Sequence, residues 1–130
     1  MLDTSTLIDL ADCDPASLPN VPLITSITLA ELSVGPLVAR TAEERAARQA
    51  HLQQAETDFE PIPFDAAAAR AFGQIAAGLR ASGRKSTARA YDALIAATAL
   101  SRGLPVHTAN PADFRGIKGL NVVAVKRQAR

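Results

Sequence analysis

Short apolar runs alternating with helical segments constrain this chain more than any other feature. Residues 2–3 (LD) read as the end of a short strand, and VPLITS (21–26), FEPIPF (59–64), LPVHT (104–108) and LNVVAV (120–125) read as further strands. Between them lie helical stretches. The first covers 4–11, opened by Thr4 or Ser5, and DCDPASLPN (12–20) is a turn-rich loop. The second covers 26–40, where Gly35-Pro36 predicts a kink or a break. Thr41 and Glu44 have the spacing of a capping box for a helix through about Glu56. Asp65 caps an alanine-rich helix ending near Ser82-Gly83. Ser86 or Thr87 opens the last helix, which Gly103 ends. Helices placed between short apolar strands require right-handed crossovers. The expected class is therefore α/β, with a mainly parallel sheet covered on both faces.

At 130 residues, one domain spanning 1–130 is expected, burying roughly two-thirds of its unfolded surface. The single cysteine, Cys13, excludes an internal disulfide framework and fits a reducing compartment. MLDTS shows no basic region followed by an apolar one, and no run approaches the ~20 apolar residues of a membrane span. A cytoplasmic protein without a membrane partner is the expectation. A net charge of +1 hides an asymmetry: residues 1–79 hold four basic against eleven acidic residues, and 80–130 hold ten basic against two acidic. A block this basic suits phosphates, a solvated face, or an acidic partner.

The two acids inside the basic half, Asp92 and Asp113, stand at telling places. RAYDALIAATAL (89–100) leaves almost no polar face, yet Asp92 sits beside its first turn. Glu31 lies among Ile27, Leu29, Ala30, Leu32 and Val34, where a carboxylate is costly unless something binds it. In open α/β sheets, ligands bind beyond the carboxyl ends of the strands. Asp3 ends the first strand, Glu31 follows the second, Asp92 begins a helix, and Asp113 follows LPVHT, so all four could reach one edge. Taken singly, the three aspartates also read as caps or turn formers, and Glu31 as a solvated helix residue. Clustered carboxylates repel and need a cation to stay ionised together. His51 and His107 lack a second soft ligand and read as structural. An all-oxygen set suits Mg²⁺ or Mn²⁺. There is no P-loop, GxGxxG, nucleophile elbow or CxxC.

LDTSTLIDL, ITLAELSVG, YDALIAATALSRGLPVHTANPADF and GLNVVAV resemble, in order and spacing, the PIN-domain ribonucleases, and most of all the VapC toxins of bacterial toxin–antitoxin pairs. The resemblance covers almost the full chain. It implies a PIN-like three-layer α/β/α fold. By position it makes Asp3, Glu31, Asp92 and Asp113 the acidic metal-site residues, with Ser5 a supporting hydroxyl. Asn110 matches a position where some relatives carry an acid, so either Asn110 or Asp113 is nearer the metal. The implied chemistry is Mg²⁺-assisted endonucleolytic hydrolysis of RNA, with Mn²⁺ able to substitute. Arg80, Arg84, Lys85, Arg89, Arg115 and Lys118 are candidates for steering the RNA backbone, and Phe114 for the core. The implied partners are a VapB-type antitoxin whose carboxy-terminal segment lies across the site, and a second copy of the chain meeting it through the alanine-rich helices. Two other readings stand beside this one. A phosphoacceptor domain would need a lysine near a strand end and an aspartate ending a central strand, which this order of elements does not supply. A non-cleaving RNA- or antitoxin-binding module stays open, with the four intact acids arguing against it and a cleavage assay deciding.

Overall fold

The computed structural model describes residues 1–83 and 89–128. Its helices are α1 (Thr4–Ile8), α2 (Ser26–Leu37), α3 (Ala42–Asp58), α4 (Ala66–Ala81) and α5 (Ala90–Ser101). Its regular strands are β1 (Val106–Thr108) and β2 (Val122–Ala124), parallel with Val106 opposite Val122 and Thr108 opposite Ala124. Single parallel bridges widen this pair into a sheet. Leu2 bridges His107 and Thr25 bridges Ile62, while the Leu2 N–H donates to the Leu23 carbonyl at 2.8 Å. Across the sheet the order is Ile62, Thr25, Leu2, β1, β2.

The expected strands at 2–3, 21–26 and 59–64 are thus one-residue bridges, not ladders. Pro22, Pro61 and Pro63 bring no N–H to a ladder, and α1 begins directly after Asp3. Pro36 does not break α2, which runs on to Leu37. In a last turn the ring forfeits one hydrogen bond just where the helix is ending. The neighbouring Gly35 does matter for packing. A Cβ there would lie 3.2 Å from Cδ of Arg48, whose Nη1 donates to the Gly35 carbonyl at 2.9 Å. That close approach sets α2 against α3.

Alternation along the bridges divides the core between two faces. Met1 and Val106 join Ile75, Ala93, Ile95, Ala96, Ala97, Ala99 and Phe114 on the α4–α5 side. Leu2 and Ile24 join Leu32 and Ala55 on the α2–α3 side. The result is the three-layer arrangement expected. Phe114 is buried as predicted, and Cys13 is buried as well. Thr41 and Asp65 act as caps, accepting the Glu44 and Ala68 N–H groups at 3.0 Å each. Ser86 and Thr87 lie outside the described residues. The first described turn of α5 follows Arg89, which makes no side-chain capping bond. Among the described residues, no helix is long and apolar enough to cross a membrane.

Candidate functional site

The chain leaves its central segment to one side of the sheet and later returns on the other. The order therefore reverses between Leu2 and β1, where open α/β sheets carry their ligand crevice. Asp3 and Thr108, the residues ending these two neighbours, meet there. The Thr108 hydroxyl donates to Asp3 Oδ2 at 3.0 Å, and the Ser5 hydroxyl donates to the same oxygen at 3.1 Å. Asn110 Nδ2 donates to Ser5 Oγ at 3.2 Å, so the polar position before the fourth acid supports the first one through a serine. Asp3 is only 1% exposed, and its other oxygen, Oδ1, is buried without a hydrogen-bond partner. A buried carboxylate oxygen left unbonded is costly.

Glu31, half-buried on α2, faces the same end of the sheet. Its Oε1 accepts the Thr4 hydroxyl at 2.6 Å, and Thr4 Oγ1 lies 3.0 Å from Thr28 Oγ1. Burial raises the Glu31 pKa, the Thr4 bond works against that rise, and the negative charge of Asp3 adds to it. Asp92, in the first turn of α5, is pushed up to about 6. Burial is the main cause, followed by the charges of Asp3, Asp113 and Glu31, with Arg89 opposing them. Four acids scattered from residue 3 to residue 113 are therefore close enough to act on one another.

Asp113 sits in the 3-10 turn Pro111–Phe114, and its Oδ1 accepts a hydrogen bond from Arg89 Nη1 in an ion pair. Arg89, expected to steer RNA, is thus bound to one of the acids. Arg80 occupies the last turn of α4. The Asp65–Arg102 pair ties the start of α4 to the end of α5, so Arg80 lies toward the end where α5 begins. Arg115 follows the 3-10 turn and is exposed. Lys118 instead lines a cavity of about 180 Å³ with Gln74, Ile75 and Leu100. Leu100 is ~12 Å along α5 from Asp92 at helical rise, so Lys118 is not brought to the acids. Arg84 and Lys85 lie outside the described residues.

Among the described residues, no three His, Cys, Asp or Glu side chains are drawn close enough to hold a metal ion as they stand. The donor set still fits a hard divalent cation, being all oxygen with one buried carboxylate oxygen unclaimed. Thr4, Thr28 and Thr108 are the site residues that sequence reading missed. The available signal was the threonine on the same face as Val106 at a strand end.

The PIN-domain family profile matches residues 1–120. The chain belongs to the PIN-domain family, among its VapC proteins. It is 40% identical over 130 residues to Ribonuclease VapC5 of Mycobacterium tuberculosis, covering 98% of this chain and 93% of that protein. It is 33% identical over 127 residues to the tRNA(fMet)-specific endonuclease VapC of Shigella flexneri, covering 92% of each. The crystal structure of the toxin–antitoxin member VapBC-5 from M. tuberculosis superposes with a TM-score of 0.81 at 38% identity over 95% of each chain. DNA-bound VapBC from Salmonella typhimurium does so with a TM-score of 0.78 at 31% identity, over 95% of this chain and 96% of that one. As a PIN-domain chain it has the α/β class that the motifs implied.

Proposed function

We propose that this PIN-domain chain is a Mg²⁺-dependent endoribonuclease of VapC type, with Mn²⁺ able to substitute. Its substrate class is structured RNA, tRNA or rRNA. It is held inactive by a VapB-type antitoxin, and it works in the cytoplasm as a homodimer. The relatives named ribonuclease and endonuclease support the activity, and the toxin–antitoxin complexes among the solved relatives support the partner. The observation that carries the metal reading is Asp3 Oδ1, a buried acceptor with no donor, near Asp92, whose carboxyl is pushed up by burial and by the charges of Asp3, Asp113 and Glu31.

Asp3, Glu31 and Asp92 are the residues that would hold the ion, with Asp113 the fourth acid. A bound Mg²⁺ would polarise a phosphodiester and lower the pKa of a water. Hydrolysis adds that water across the P–O3′ bond, leaving a phosphate on one fragment and a hydroxyl on the other. Among the described residues Ser5 is the nucleophile-type side chain at the site, and its hydrogen is committed to Asp3 Oδ2, which favours a water as the attacking group. Arg89, paired with Asp113 and acting on Asp92, is a cationic group beside the acids and can pair with phosphate oxygens. An antitoxin segment that supplies an arginine to these carboxylates would take the place of the cation. The test is cleavage of a tRNA by the purified chain, with Mg²⁺ and with EDTA. Cleavage that persists undiminished in EDTA overturns the metal reading, and no cleavage under either condition leaves the non-cleaving module as the better description.

A further inference from the structure

We propose that Thr108 and Thr4 are positioning residues, each fixing which oxygen of its carboxylate faces a divalent cation. The proposal rests on the cation reading above and extends it to two residues to which the motifs gave no role at the site.

A threonine hydroxyl has one hydrogen to give. Thr108 Oγ1 accepts the Asn110 N–H at 2.9 Å, and its hydrogen goes to Asp3 Oδ2. An ionised carboxylate has no hydrogen to give, so Thr108 is the donor in that bond, and the Asn110 N–H takes up an acceptor site of the same hydroxyl. Ser5 donates to the same oxygen. Both donors lie on Oδ2, so the carboxylate cannot turn without losing two bonds, and Oδ1 alone is left to face the site. Thr108 is fully buried at the end of β1, and Asp3 is nearly so. Ser5, by contrast, is exposed, so Thr108 is the rigid half of the clamp. A β-branched residue in packed surroundings has few rotamers to choose from.

The second carboxylate is held in the same manner from the other side. The hydrogen of Thr4 goes to Glu31 Oε1 at 2.6 Å. The 3.0 Å contact between Thr4 and Thr28 must then run with Thr28 as donor. Thr28 is fully buried on α2. A relay from Thr28 through Thr4 pins Oε1, and Oε2 is the oxygen left to the ligand. Outer-shell partners of this kind tune metal affinity on the order of 10–100-fold.

The experiment titrates Mn²⁺ into the metal-free full chain by calorimetry and measures Tm in EDTA. Thr108→Val keeps the shape and removes the donor, and it is expected to weaken Mn²⁺ binding roughly tenfold. Thr108→Ser is expected to restore it. Thr4→Val is expected to weaken binding to a smaller degree. A threonine that only satisfies buried polar groups would lower Tm and leave the Mn²⁺ affinity of the folded protein untouched, which overturns the proposal. If Thr108→Val does not fold, Thr4→Val and Thr28→Val decide the question by the same criterion. A wild-type chain that binds no Mn²⁺ removes both this proposal and the cation reading. Wild-type binding with unchanged affinity in the folded valine variants removes only this one.

Discussion

The two ends of the α4–α5 pair carry the same side chain in two opposite conditions. At the start of α4, Asp65 accepts the Ala68 N–H at 3.0 Å and meets Arg102 at 3.3 Å. Its carboxyl is held below the usual range, first by that backbone bond. At the start of α5, Asp92 is half-buried, lies near the charges of three other acids and is pushed up to about 6. The macrodipole favours a negative charge at either helix start, so it cannot account for the difference. Burial and like-charged neighbours do. An aspartate at a helix start is therefore a structural device when its oxygens are engaged and exposed, and a candidate site when it is half-buried among like charges.

The largest effect expected from this contrast lies in catalysis. Asp3→Asn removes the charge beside the unclaimed oxygen and should reduce tRNA cleavage by on the order of 10²-fold or more, while Asp65→Ala leaves it unchanged. Circular dichroism should show both variants folded. Equal losses of cleavage in the two would erase the distinction between the ends.

The next effect is in pH dependence. A proton on Asp92 competes with a cation for the same carboxylate. With the metal-free pKa at about 6, Mn²⁺ affinity should rise by up to roughly tenfold per unit between pH 5 and pH 6. It should level off above about pH 7. An affinity flat from pH 5 to pH 7 would mean that Asp92 is not among the groups holding the ion.

Much of this contrast could be read before any coordinates. The costly settings of Glu31 and Asp92 among apolar neighbours marked them, and the Thr41 and Asp65 caps stand where local spacing put them. The alternation of helices and short apolar runs carried the layer order. Strand length was not legible, because Pro22, Pro61 and Pro63 leave bridges where composition suggested ladders. Nor was the ion pair of Arg89 with Asp113, or the bond from Thr108 to Asp3. These join residues far apart in the chain, and no local pattern records which hydroxyl meets which carboxylate. Threonine in VHT reads simply as a strand former. Its second role appears only once the first segment is laid beside β1.

A smaller effect concerns stability without metal. The folded-state pKa of Asp92 lies above its ordinary value of 3.8. The native state then binds more protons than the unfolded one between about pH 4 and pH 6, and stability falls as pH rises through that window. Asp92→Asn should remove this loss, raising stability at pH 7 by about 1 kcal/mol once solvent screening is allowed for. Urea unfolding in EDTA checks it, and a destabilised variant would make Asp92 a structural residue.

The smallest effect belongs to the other end, and it has the opposite sign. Asp65 has a lowered pKa, so its stabilising contribution is present above the ordinary aspartate range and is lost as pH falls through its folded value. Asp65→Ala should lower Tm by a few °C at pH 7 through the lost cap. Arg102→Ala should leave Tm almost unchanged, because both partners of that pair are largely in solvent. The two aspartates also separate by pH. At pH 5 the cost of losing Asp65 should stand at its full value, whereas the gain from Asp92→Asn should already have shrunk, since Asp92 is mostly protonated in the native state there. Thermal unfolding of both variants at pH 5 and pH 7 measures this. If the two effects shrink together, the ends of the α4–α5 pair share one electrostatic environment and the contrast between them fails.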